Sequence, residues 1–156
     1  MLVLLYSCGL RRNETVTMNI KDVLFDKELV LVRKGKNYKE RYVPINHYNL
    51  ELLESYIYDA RIQFKNYNTS EALLIGQSGN RMNGSAIARH LKSIIEVTNN
   101  EVLQSKNITP HKLRHAIATH FLQAGMDIEY IKQFLGHAHL ETTQIYTHLV
   151  ERYERL

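Results

Sequence analysis

The stretch TPHKLRHAIATHFLQAG, residues 109–125, constrains the fold of this chain more than any other segment. Thr109 carries a hydroxyl suited to capping the open amides of a helix start, and Pro110 fits the first turn, where its missing N–H has no partner to lose. Gly125 stops the helix. At about 100° per residue, the side chains between them separate into two faces. Leu113, Ala116, Ile117, His120 and Ala124 fall on one side, which predicts a core stripe with His120 packed inside it. His111, Arg114, His115 and Ala118 fall on the other, with His111 and Arg114 adjacent at i and i+3.

The remaining segments supply what such a helix packs against. MLVLLYS reads as the end of a buried helix, Gly9 breaks it, and Arg11 to Met18 reads as another. VLFDKELVLVRKGKNYKERYVPI, residues 23–45, alternates and turns twice, at Asp26-Lys27 and at Gly35-Lys36-Asn37. That pattern predicts a three-stranded antiparallel sheet. Leu53, Ile57, Ala60 and Phe64 recur at helical spacing, and EALLIG (71–76) reads as a short strand. GSAIARHLKSIIEV is helical with Ile87, Leu91, Ile94 and Ile95 on one stripe, and DIEYIKQFL puts Ile128, Ile131 and Leu135 toward the core before Gly136. The class is mainly α with a small three-stranded antiparallel β-sheet, as one domain over residues 1–156.

Composition narrows the function classes. A chain of 156 residues with 44% hydrophobic and 23% charged residues builds an ordinary folded core. The single cysteine, Cys8, excludes an internal disulfide and fits a reducing compartment. No run approaches the roughly 18 apolar residues of a membrane span, and MLVLLYSC lacks the charged start of a signal peptide. A cytoplasmic protein without membrane contact is expected. The net charge of +4 is compatible with a polyanionic partner without requiring one. His111 and His115 stand at i and i+4, as zinc ligands can, yet no Glu lies between them and no Cys or acidic third ligand is near in sequence. No metal is expected.

Four stretches, in this order, carry a resemblance: CGLRRNE (8–14), RKGKNYKERYVPI (33–45), the helix from Thr109, and FLGHAHLETTQIYTH (134–148). His137 follows Arg114 by 23 positions and precedes Tyr146 by nine. Together they resemble the catalytic domain of the tyrosine recombinases, the phage-integrase and Xer-type enzymes, from one end of the chain to the other. The resemblance implies that Arg11 and Arg114 bind the phosphate, that Lys36 is the hairpin lysine, and that His111 and His137 are the two motif histidines. Tyr146 is the implied nucleophile. Cys8 stands where that family commonly has Thr, and Ala116 where Ser or Thr often follows; neither position carries chemistry. The resemblance also implies that the family's first catalytic-domain helix and its N-terminal core-binding DNA domain lie outside residues 1–156.

The implied reaction is transesterification on double-stranded DNA without a cofactor. Tyr146 attacks phosphorus, leaving a 3′-phosphotyrosyl link and a free 5′-hydroxyl, so that the bond energy is conserved for rejoining. Negative charge grows on the non-bridging oxygens, and arginine presents a permanently charged planar fork to them. Lys36 can give a proton to the 5′-oxygen; His111 and His137 hydrogen-bond the phosphate, and His111 is suited to take the tyrosine proton. Arg33, Lys34, Lys39 and Arg41 form a basic group expected to contact phosphates. Arg12 reads as surface, and Glu14 as orienting the arginine-bearing helix. In the tail, Leu149, Tyr153 and Leu156 form an apolar stripe that docks either on its own domain or on a neighbour, the second arrangement giving a homotetramer on DNA. A type IB topoisomerase-like nicking and resealing enzyme and a DNA-binding module without catalysis are the alternative readings.

Overall fold

Thr109 caps its helix as expected: its Oγ1 accepts a hydrogen bond of 3.2 Å from the Lys112 N–H, and helix α5 spans Pro110–Gln123. The structure, a computed structural model, describes residues 1–33 and 40–136. Within them a wide helical turn, Val3–Ser7, leads through Gly9 into α1, Arg12–Thr17. Strands β1 (Val23–Leu24), β2 (Leu29–Val32) and β3 (Arg41–Pro44) follow, then α2 (His47–Ser55), α3 (Gly84–Val97), α4 (Glu101–Ser105), α5 and α6 (Ile128–Leu135).

The sheet is antiparallel in the order β1-β2-β3, with Val23 opposite Val30 and Val32 opposite Arg41. Phe25–Lys27 makes the first turn, and the second expected turn, at Gly35-Lys36-Asn37, lies outside the described residues. The chain stays helical past α2 through Gln63, which accommodates the apolar spacing up to Phe64. EALLIG forms no strand. It makes isolated bridges, Asn19 with Ala72 and Ile75 with Arg81, because the chain turns between them and never runs beside one partner long enough for a ladder. The short α4, capped by Asn100, has no counterpart in the apolar pattern.

One core joins Leu4, Leu5 and Leu10 to Val30, Val43, Leu53, Ile87, Ile117, Phe121, Phe134 and Leu135. The buried face of α5 is Pro110, Arg114, Ile117 and Phe121, turned about 70° from the stripe that apolarity suggests. His120 is therefore exposed, with its Nδ1 hydrogen-bonded to the Tyr6 hydroxyl at 2.6 Å, rather than packed in the core. The rotation follows from Phe121, whose ring packs edge-on against Phe134 at 5.0 Å and outweighs the smaller alanines opposite. On α6 the buried residues are Ile131, Phe134 and Leu135, while Ile128 is 56% exposed. Among the described residues no helix is long and apolar enough to cross a membrane.

Candidate active site

Two backbone devices place the arginines. Gly9 takes φ +58°, so the chain leaving the first helical turn reverses sharply and Arg11 becomes the N-cap residue of α1. A Cβ on Gly9 would come within 2.8 Å of Leu135 Cδ2, so the close approach of this turn to α6 also requires glycine. At the other end, Gly136 takes φ +73° and closes α6 with its N–H bonded to the Gln133 and Lys132 carbonyls. The carbonyls of Phe134 and Leu135 stay available at the negative end of the helix dipole.

Arginines from three elements converge on those two carbonyls. Arg114 is only 6% exposed; its Nη1 donates to Gly9 O at 2.5 Å and its Nη2 to Leu135 O. Arg11 Nη1 also reaches Leu135 O, at 3.4 Å. Arg41 Nε donates to Phe134 O at 3.3 Å. Glu14 sits among them. Its carboxylate accepts from Arg11 Nη1 at 2.9 Å and from Arg41 Nη1 and Nη2 at 2.9 and 3.0 Å, and lies 3.9 Å from Arg114 Nη1. It also accepts the backbone N–H of Arg11 at 2.8 Å.

Burial alone would raise the Glu14 pKa, but the hydrogen bonds and charge of Arg41, with the Arg11 bonds, bring it down to about 2. The carboxylate is ionised at neutral pH. Three guanidiniums against one carboxylate leave the cluster doubly positive, which suits an incoming phosphate.

The structure redistributes several sequence-derived expectations. Arg11 and Arg114 are brought together, and Arg114, which periodicity places opposite the core stripe, lies buried against the Gly9 turn. His111 and His115 are exposed on α5, and among the described residues no group of three metal-capable side chains gathers. Glu14, expected to orient the arginine-bearing helix, holds Arg11 at the start of α1 by backbone and side chain and binds Arg41 as well. Arg41, expected among the phosphate-contacting residues, is 6% exposed, and all three of its guanidinium nitrogens donate to Glu14 or Phe134. Arg33 turns its guanidinium to Asp22, with Nε and Nη2 at 2.7 and 2.6 Å from Oδ1. Lys34, Lys36, Lys39, His137, Tyr146 and the tail residues Leu149, Tyr153 and Leu156 lie outside the described residues. The carbonyls of Phe134 and Leu135 had no signal in the sequence, because every residue has a carbonyl and only the fold selects these two.

The chain is similar to known proteins over nearly its whole length. It is 39% identical over 152 residues to "Tyrosine recombinase XerD" of Oceanobacillus iheyensis, covering 97% of this chain and 50% of that protein. The solved structure "Crystal structure of XerA recombinase" superposes with a TM-score of 0.75 at 35% identity, covering 98% of this chain and 53% of the other. A XerH site-specific recombinase, solved bound to a palindromic difH substrate, gives 0.67 at 29% identity over 99% of this chain and 42% of that one. The chain thus spans about half the length of the curated relatives it matches. The model of the phage integrase family matches residues 1–152, and the chain belongs to that family.

Proposed function

We propose that this chain is the catalytic part of a site-specific DNA recombinase that cuts and rejoins duplex DNA through a covalent 3′-phosphotyrosyl intermediate. The observation that carries the reading is the meeting of Arg11 and Arg114 at the Leu135 carbonyl, one residue before Gly136 and two before His137. In the proposed mechanism these arginines hold the non-bridging oxygens of the scissile phosphate, where preorganised donors act without reorganising during the reaction. His111 and His137 complete the phosphate contacts, and His111 takes the proton of Tyr146. Tyr146 attacks phosphorus; Lys36 gives its proton to the departing 5′-oxygen. The free 5′-hydroxyl of another strand then reverses the step, regenerating the tyrosine. Lys34 and Lys39 add salt-dependent phosphate contacts. The tail stripe couples copies of the chain into a tetramer on DNA, in the cytoplasm. The reading draws support from the family match and from the DNA-bound XerH relative.

The test is a library of nicked duplexes with randomised centres, incubated with the protein and then denatured. A protein–DNA adduct is expected, unchanged by EDTA and absent with Tyr146→Phe. Binding without adduct would leave a DNA-binding module. Relaxation of a supercoiled plasmid without strand exchange would favour the topoisomerase-like reading.

A further inference from the structure

We infer that Arg41 is a positioning residue that keys three motif-bearing segments to one another. The inference rests on the recombinase reading above and concerns the same site. β3 begins at Arg41, five positions after Lys36 in the sequence. The Arg41 guanidinium is bound fork to fork by Glu14, which in turn holds Arg11 by side chain and backbone. Its remaining nitrogen, Nε, holds the Phe134 carbonyl, at the turn of α6 that hands the chain to Gly136 and His137. One planar group thereby fixes the strand following the lysine segment, the helix of the first arginine and the helix end before the motif histidine.

Gly136 supplies a second, independent observation. A Cβ there would lie 2.7 Å from Arg41 Nη1 and 2.8 Å from Cζ. The glycine is needed for its left-handed backbone, and also because the guanidinium lies flat against it. Lysine could match the charge of Arg41 but not the three-way geometry, since an ammonium is a point donor. The pairing argues against direct DNA contact: the Nη1–Nη2 fork of Arg41 is taken by the Glu14 carboxylate and its Nε by the Phe134 carbonyl, which leaves no adjacent pair of donors to grip a phosphate.

The distinguishing measurement compares saturating single-turnover cleavage with DNA affinity for the unsubstituted protein, Arg41→Lys and Arg41→Ala. Arg41→Lys is expected to lose about 100-fold in maximal rate, the order associated with small misplacement of reacting groups, with affinity and its salt dependence unchanged. A full rate with weakened binding and a salt slope lower by about 1 would make Arg41 a phosphate contact and overturn the proposal. Full rescue of rate by lysine would overturn it too. A DNA-free double-mutant cycle reads the geometry separately: Gly136→Ala should lower the melting temperature less in the Arg41→Ala background than in the unsubstituted chain. Additive losses would sink the proposal even if both variants fold poorly. If the unsubstituted chain forms no adduct, the recombinase reading fails, while the cycle still decides whether Arg41 and Gly136 are coupled.

Discussion

Arg41 and Glu14 face each other as two forks, Nη1 2.9 Å from Oε1 and Nη2 3.0 Å from Oε2, with both side chains nearly excluded from water. Burying such a pair costs desolvation that the mutual attraction offsets only when the geometry is good and the remaining donors are satisfied. Here the Nε donor goes to Phe134 O, and Glu14 collects two further bonds from Arg11. Removing Glu14 leaves the buried Arg41 fork without its carboxylate, and removing Arg41 strips Glu14 of two of its bonds while Arg11 keeps the others.

Glu14 makes stability depend on acid pH. Its folded pKa, about 2, lies below the ordinary 4.5, so its contribution is present above pH 4.5 and fades as pH falls toward 2. The difference corresponds to about 3 kcal/mol by linkage. Urea unfolding of the unsubstituted protein and Glu14→Gln should therefore differ most at pH 6 and converge only as pH falls through about 2. A gap that stays constant across this range would show that the carboxylate is not the source.

Two glycines with positive φ separate backbone strain from crowding. Gly125, at φ +79°, has nothing within 4 Å of the point where a methyl group would stand, so Gly125→Ala should cost about 1 kcal/mol, from the left-handed backbone alone. Gly9, at φ +58°, adds contacts of 2.8 Å to Leu135 and 3.1 Å to Phe134, and Gly9→Ala should cost about 3 kcal/mol. Equal losses in chemical denaturation would contradict the packing of the Gly9 turn against α6.

Arg33→Ala is expected to act through Asp22. The Asp22 side chain is 2% exposed and depends on Arg33 and the Asn19 N–H. Truncation should cost about 1–3 kcal/mol of stability by leaving a buried acceptor short of a partner. The salt dependence of DNA binding should stay unchanged; a reduced slope with unaltered stability would return Arg33 to the phosphate-contacting group.

Cys8 should be inert in the folded protein. Burial pushes its thiol up to about 12, and the thiolate is the reactive form. An Ellman-type reagent should modify it only at the rate of unfolding, reaching full reaction in denaturant. Fast labelling of the native chain would place Cys8 at the surface.

Much of the architecture was readable because local chemistry and fold agree. Thr109, Pro110 and Gly125 set the bounds of α5, and α3 spans the stretch GSAIARHLKSIIEV that its apolar stripe marks. The sheet follows from the alternation around Asp26-Lys27. The rotation of α5 was not readable, since it depends on Phe121 meeting Phe134 and on buried Arg114 finding two carbonyls. Periodicity counts a buried arginine as polar and so turns the helix the wrong way. Arg41 was hidden for the same reason: in a run of basic residues nothing marks the one whose acid partner lies 27 positions earlier.

The Leu135 carbonyl joins residues that the ribosome makes far apart in time. Arg11 is 124 positions from it and Arg114 21, while Arg114 reaches back 105 positions to Gly9. Contacts of such span carry the largest loop-closure cost and form only when the intervening chain has folded. A nascent chain that has not yet released α6 carries both arginines with no common acceptor to align them. Assembly of the arginine cluster thus waits until α6 has been made, and a chain halted before it carries its arginines unaligned.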